Sequence, residues 1–219
     1  MQRVDAKVPA RRPGSRDPER TMAAILAAAR KIFARHGLDG ARIDAIAETA
    51  AVNKRMIYYY FEDKQGLFLA TLEGLYREIS AAAADIELTK DPQEALAQYV
   101  AVTFAYYQAH PETIAILNNE NLYEARHLKR SKVIPELKAR FVDKLDEVLA
   151  RGMAQGVFRP GLDTVTVYIT LLALVYLYLG NSATLSVYFD RDLASEDQRA
   201  AWLKHMQSSI RTIVAAPVT

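Results

Sequence analysis

The chain has 219 residues, 51% apolar and 25% charged, which is ordinary globular composition and enough length for one large domain or two small ones. It contains no cysteine, which excludes disulfides and thiolate metal sites and fits a reducing cytoplasm. The net charge of +2 is unevenly spread: residues 1–60 hold 12 Lys/Arg against 6 Asp/Glu, and residues 61–219 hold 16 against 20, so the first part suits a polyanionic partner and the rest does not.

Residues 1–16 carry Arg3, Lys7, Arg11, Arg12 and Arg16 among Pro9, Pro13, Gly14 and Ser15. They hold too little apolar surface to repay ordering, so a disordered basic arm is expected, either a solvated tail or a phosphate or minor-groove contact. No basic-then-apolar leader opens the sequence, which fits a cytoplasmic protein. Helix 1 is predicted to start with Asp17 as cap and Pro18 as its first residue. Ile25, Ala28, Ala29, Ile32 and Phe33 form its apolar stripe, and Gly37 after His36 stops it.

Asp39-Gly40 then turns the chain into the stretch Arg42–Phe61. Ile43, Ile46, Ala47 and Ala50 share one helical face, and the period breaks at Ala51-Val52-Asn53. Asn53 is a good N-cap for a second helix, whose first residues are Lys54 and Arg55. Two cations at the positive end of a helix suit an anionic partner. Ala47 is small where two steeply crossing helices nearly touch, and Ile57 packs back on the first helix. This is the helix-turn-helix pattern, whose second helix lies in the DNA major groove. Of the consecutive Tyr58, Tyr59 and Tyr60, one or two must face outward, where a phenol can bond a phosphate; Tyr60 is read as core. Lys64 follows the cap Asp63 and can clamp a phosphate together with the N–H groups of helix 4.

The run from Phe33 to Leu67 resembles the DNA-binding domain of the TetR family of bacterial transcriptional regulators. Its specific part is the Tyr-Tyr-x-Phe-x-x-Lys block ending at Lys64, and the match covers about the first third of the chain. Three departures stand out. Ala51 replaces the usual turn glycine, which is tolerable if φ stays negative. Ala41-Arg42 replaces the usual hydroxyl residues, and Arg55-Met56 replaces the commoner small residue and Thr. The resemblance implies that Arg42, Tyr58, Tyr59 and Lys64 position the DNA backbone. Lys54, Arg55 and Met56, on a helix capped by Asn53, would then read bases, with Arg55 suited to guanine and Met56 to a thymine methyl.

Beyond the head, helix 4 is expected from Lys64 to Ala84, with Leu67, Phe68, Leu72, Leu75, Tyr76 and Ile79 on its apolar side. Asp91-Pro92 opens helix 5, which buries Leu96, Tyr99, Val100, Thr103, Phe104 and Tyr107. Pro111 opens helix 6, where four polar residues, Asn118 to Asn121, lie between apolar anchors. Buried, such groups need partners, and a ligand can be one. Candidate effector contacts are Tyr99, Thr103, Tyr107, Asn118, Glu120, Asn121, Tyr123, His127, Tyr168 and Tyr176, which suit an aromatic or amphipathic molecule; core packing or a helix–helix network accounts for most of them equally. Glu120 with His110 or His127 lacks the i, i+4 spacing of a metal site, and no nucleophile–base pair or phosphate loop is present, so neither a metal, a cofactor nor an enzyme is expected.

Helix 7 is expected over Val133 to Ala154, stopped by Gly156, and helix 8 after the cap Asp163. Residues 164–189 carry no charge, yet Val165 to Leu179 is too short an apolar core for a membrane span of about 20 residues and lacks a basic flank. A helix apolar all round is instead buried on both faces, one on its own core and one on another chain. Helix 9, from Glu196 to Ala215, carries Trp202, Leu203, Met206, Ile210 and Ile213 at helical spacing. The reading is therefore an all-α protein with a disordered arm (1–16), a DNA-binding head (17–62) and an effector-binding and dimerisation body (63–219). By resemblance it is a homodimeric repressor released from a palindromic operator by a small molecule. The competing reading is an architectural or partner-regulated DNA-binding protein without an inducer, whose body would hold no cavity near Asn118–Tyr123.

Overall fold

The computed structural model describes residues 17–82, 86 and 91–217, without the side chains of 138–141. The basic arm expected at 1–16 lies outside them, as do Ala84 at the expected end of helix 4 and the side chain of Phe141. Nine α-helices fill the described residues: α1 Pro18–Gly40, α2 Ile43–Thr49, α3 Lys54–Phe61, α4 Lys64–Ala82, α5 Pro92–Ala109, α6 Pro111–Leu122, α7 Ile134–Ala154, α8 Thr164–Tyr188 and α9 Glu196–Val214. A single 3-10 turn, Leu128–Arg130, joins α6 to α7.

The helix starts follow from short-range chemistry. Asp17, Asn53, Asp91 and Asp163 each accept a hydrogen bond from a backbone N–H of the turn they open, at 3.1, 2.9, 2.8 and 2.8 Å. Asp63 does the same for Gly66 at 2.7 Å. Pro18, Pro92 and Pro111 stand in first turns, where no N–H is missed.

Two apolar cores result. The first joins Ile25, Ala28, Ala29 and Phe33 of α1, Ile46 and Ala47 of α2 and Ile57 of α3. It continues into Leu67, Phe68, Leu72 and Leu75 of α4 and into Ile116 of α6. The second holds the body together through α5, α7, α8 and α9, including Tyr99, Phe104, Leu145, Leu171, Met206 and Ile210. The loop after α7 is pinned to the end of α9: Phe158 pairs antiparallel with Ala215, and the Arg159 N–H donates to the Val214 carbonyl at 2.9 Å.

A polar clasp fixes α1 to both neighbours. Arg30 donates to the two Glu78 oxygens of α4 at 2.9 and 2.7 Å and to Thr113 Oγ1 of α6 at 3.4 Å. Its Nε stands 2.8 Å from Glu112 but is misaligned for a hydrogen bond, so that contact is Coulombic only. Farther along α6, Asn119 Oδ1 accepts the Leu38 N–H at 2.8 Å. This is possible because Gly37 sits at φ 65°, where α1 kinks, and a Cβ there would lie 2.8 Å from Asn119 Nδ2.

Helix α8 is long and apolar enough by composition to cross a membrane. It buries Val167, Leu171, Val175 and Tyr178 in the body core, a stripe at helical spacing. Its other side, with Val165, Ile169 and Leu177, is exposed in the single chain. The expectation of burial on both faces therefore holds for one face within one copy.

Candidate nucleic-acid interface and effector cavity

The head is built around the turn between α2 and α3. The Val52 N–H donates to the Ala47 carbonyl and the Ala51 N–H to the Glu48 carbonyl, both at 3.0 Å, which is a complete Schellman stop with Ala51 in the left-handed position. Its φ is +53°, so the condition under which the sequence reading held alanine tolerable here is not met. The motif needs that conformation whatever residue occupies it. Ala51 is exposed, and an alanine there pays roughly 1 kcal/mol that glycine does not. Ala51→Gly should raise Tm by about 2–4 °C in a thermal melt. An unchanged or lower Tm would show that the turn relaxes elsewhere.

Helix α3 then presents its start and outer side to solvent. Arg55 is exposed, and Tyr58 and Tyr59 are 48% and 78% exposed. Tyr60 packs against the head core, as read from sequence. Met56 is also half-buried against that core, so only part of its side chain can meet a base. Lys54 is paired with Asp44 of α2 at 3.1 Å. Both are exposed, so the pair is weak and a phosphate can displace it. Arg42 precedes α2 with no side-chain cap and is exposed. Lys64 Nζ donates to the carbonyls of Asp39 and Ala41, both at 3.3 Å, tying α4 to the entry of α2. An ammonium has three donors, so one remains for a phosphate.

The α3–α4 junction is tight. Glu62 has φ +65°, and the first turn of α4 lies so close that a Cβ on Gly66 would stand 2.2 Å from the Phe61 carbonyl oxygen. A close contact between backbones thus adds to the core packing and the Lys64 hydrogen bonds that position α3 and Lys64.

A second site lies in the body. A cavity of about 400 Å³ is lined by Tyr76, Tyr107, Leu117, Glu120, Asn121, Leu128, Tyr168, Ile169, Leu172, Ala173 and Tyr176. It gathers five of the ten expected effector residues: Tyr107, Glu120, Asn121, Tyr168 and Tyr176. The other five lie elsewhere. Tyr99 is fully buried, and Thr103 bonds its carbonyl at 2.8 Å. Asn118 opens on a separate groove beside Phe33 and Gly37. Tyr123 packs on the head core, where hydrogen bonding to Asp39 raises its phenol above the ordinary value. His127 is enclosed by the Phe68 and Tyr123 rings.

Glu120 is the centre of the polar segment. It is 1% exposed. One oxygen accepts the N–H groups of His127 and Leu128 at 2.8 and 3.0 Å, and the other lies 2.6 Å from His127 Nδ1. It closes the turn after α6 and forms cavity wall as well. Burial pushes the phenols of Tyr107, Tyr168 and Tyr176 well above their usual range, so all three stay neutral near pH 7. Tyr76, Leu117, Leu128, Ile169, Leu172 and Ala173 were not foreseen as lining. Tyr76 reads in sequence as one more member of the α4 stripe, and its hydroxyl is the only hint. Among the described residues no group of three or more His, Cys, Asp or Glu could hold a metal ion.

A helix-turn-helix head on an all-helical body with a cavity is the build of a transcriptional regulator rather than of an enzyme. Residues 25–71 match the family described as bacterial regulatory proteins, tetR family, and residues 92–210 match the tetracyclin repressor-like C-terminal domain. The chain is 38% identical over 186 residues to the HTH-type transcriptional repressor NicS of Pseudomonas putida, covering 84% of this chain and 88% of that protein. It is 36% identical over 140 residues to the HTH-type transcriptional repressor SCO4008 of Streptomyces coelicolor, 64% of this chain and 70% of that one. The fatty acid degradation regulator FadR from Bacillus halodurans shares the fold, with a TM-score of 0.67 at 21% identity over 91% of this chain and 96% of that one. The chain belongs to the TetR family of DNA-binding transcriptional regulators.

Proposed function

We propose that the protein is a homodimeric repressor that binds a palindromic operator and is released by a small molecule held in the tyrosine-lined cavity. The observation that carries this is α6, which belongs to both sites. Leu117, Glu120 and Asn121 line the cavity, while Ile116 is in the head core and Asn119 holds the Leu38 N–H. A ligand that moves α6 must move the head, which couples the two sites through one rigid element. The cavity also argues against the inducer-free reading, which requires a filled body.

The exposed apolar side of α8, with Ile213 on α9, supports pairing with a second copy in a four-helix bundle. Such a dimer sets two copies of α3 into successive major grooves. Operator binding implies a cytoplasmic protein.

Anisotropy titrations of labelled upstream intergenic DNA over a range of salt test the reading; affinity flat with both salt and sequence would sink it. Within that assay, Arg55→Ala should cost about 1–3 kcal/mol on the operator and relax preference at one base position. Lys64→Ala should weaken binding to all sequences alike and reduce the salt slope by about 1. If both variants lose affinity uniformly, the roles given to the two residues are wrong.

A further inference from the structure

We infer that the cavity takes an uncharged or cationic ring compound and discriminates against anions of the same shape, free carboxylates included. This rests on the cavity being the effector site. The argument is electrostatic. Of the eleven lining residues, Glu120 is the only acidic one, and no Lys, Arg or His is among them. The carboxylate cannot turn away, because its oxygens are engaged by two backbone N–H groups and the His127 ring. His127 stands behind it, between Phe68 and Tyr123 and outside the lining, so the acidic partner of this pair is the one at the cavity wall.

The rest of the wall favours the same class. Tyr76, Tyr107, Tyr168 and Tyr176 converge from three helices, and the Tyr107 and Tyr176 rings meet edge to face at 5.7 Å. Aromatic faces carry negative charge density and attract cations. They also stack on neutral rings, and about 400 Å³ falls within the range of small-molecule pockets. An anion would leave water for a lining that offers no basic side chain and one acidic one, whose His127 partner lies outside the lining. Neutral phenols can donate to it, but they do not supply the missing charge.

Benzamidine, benzamide and benzoate have nearly the same shape and are cationic, neutral and anionic at pH 7. Ligand-observed NMR titrations of the full chain with each, at millimolar concentration, should give benzamidine and benzamide a Kd about tenfold or more below that of benzoate. Glu120→Gln, checked for fold by circular dichroism, should narrow the gap. Ala173→Trp, which puts a bulky ring into the lining at an exposed position of α8, should remove binding of all three while gel filtration shows the parent's oligomeric state. Benzoate binding as tightly as the others, and lost in Ala173→Trp, overturns the charge inference and leaves the cavity reading standing. Binding of the three that survives Ala173→Trp overturns the cavity reading and the inference with it. The absence of binding by any of the three overturns the inference.

Discussion

Gly66→Ala should reduce operator affinity by 100-fold or more, roughly 3 kcal/mol, while the body stays folded. The added methyl would lie 2.2 Å from the Phe61 carbonyl oxygen, and that atom belongs to the backbone, so no rotamer change relieves the clash. Either α3 loses its last turn or the first turn of α4 moves away. Both outcomes separate the exposed face of α3 from Lys64, which is itself tied to the carbonyls of Asp39 and Ala41. On the proposed reading, base readout by α3 and the backbone contact of Lys64 then no longer meet the duplex in register. The measurement is fluorescence anisotropy on the operator, paired with a far-UV melt to confirm that the body still unfolds cooperatively. Binding within threefold of the parent would show that the junction can open without cost.

Gly152→Ala should destabilise the body strongly. A Cβ at this position on α7 would stand 1.9, 2.3 and 2.6 Å from three atoms of the Phe158 ring, which is 2% exposed. The ring cannot withdraw freely, because the Phe158 backbone is held on both sides: its N–H bonds the Gly152 carbonyl at 3.0 Å, and the residue pairs with Ala215. Overpacking of this kind costs about 3 kcal/mol when neighbours are fixed, a fall in Tm of roughly 6–12 °C. Phe158→Ala alone leaves a cavity and should cost about 3–5 kcal/mol. The double variant is the decisive measurement. With the ring gone, the extra methyl has room, so the double should be no less stable than Phe158→Ala. Additive losses would mean that Gly152 matters for some reason other than the ring.

What the sequence made legible was local. Asp17, Asn53, Asp63, Asp91 and Asp163 cap the helices they were expected to cap, because a cap is decided within three or four residues. The apolar stripes of α1, α4, α5 and α9 were legible for the same reason, since a stripe needs only the helical period. The tight contacts were not. Nothing near Gly152 in sequence says that an aromatic ring returns to cover it, and at Ala51 the residue itself hides the positive φ that the family's usual turn glycine would have signalled. The candidate cavity was half legible. Tyr107, Glu120, Asn121, Tyr168 and Tyr176 could be marked as chemistry in apolar surroundings. Which of the ten marked residues share one space depends on the rotation of α6 about its own axis, a tertiary quantity. Asn118 falls outside because α6 turns that position away from the cavity, and Tyr123, just past the end of α6, packs on the head core instead.

The way the first core runs on into α4 and α6 has a consequence for anyone who would treat the DNA-reading part as an exchangeable cartridge. A graft cut after Phe61 would strip Phe33, Ile46 and Ile57 of Leu67, Phe68, Leu72 and Ile116, which fill the same core. The donor segment must carry its own α4, and the acceptor must offer an α6 with a residue shaped like Ile116 and an acceptor placed like Asn119. Swapping specificities between relatives is therefore a problem of matching a seam that runs along two helices, rather than of choosing a linker.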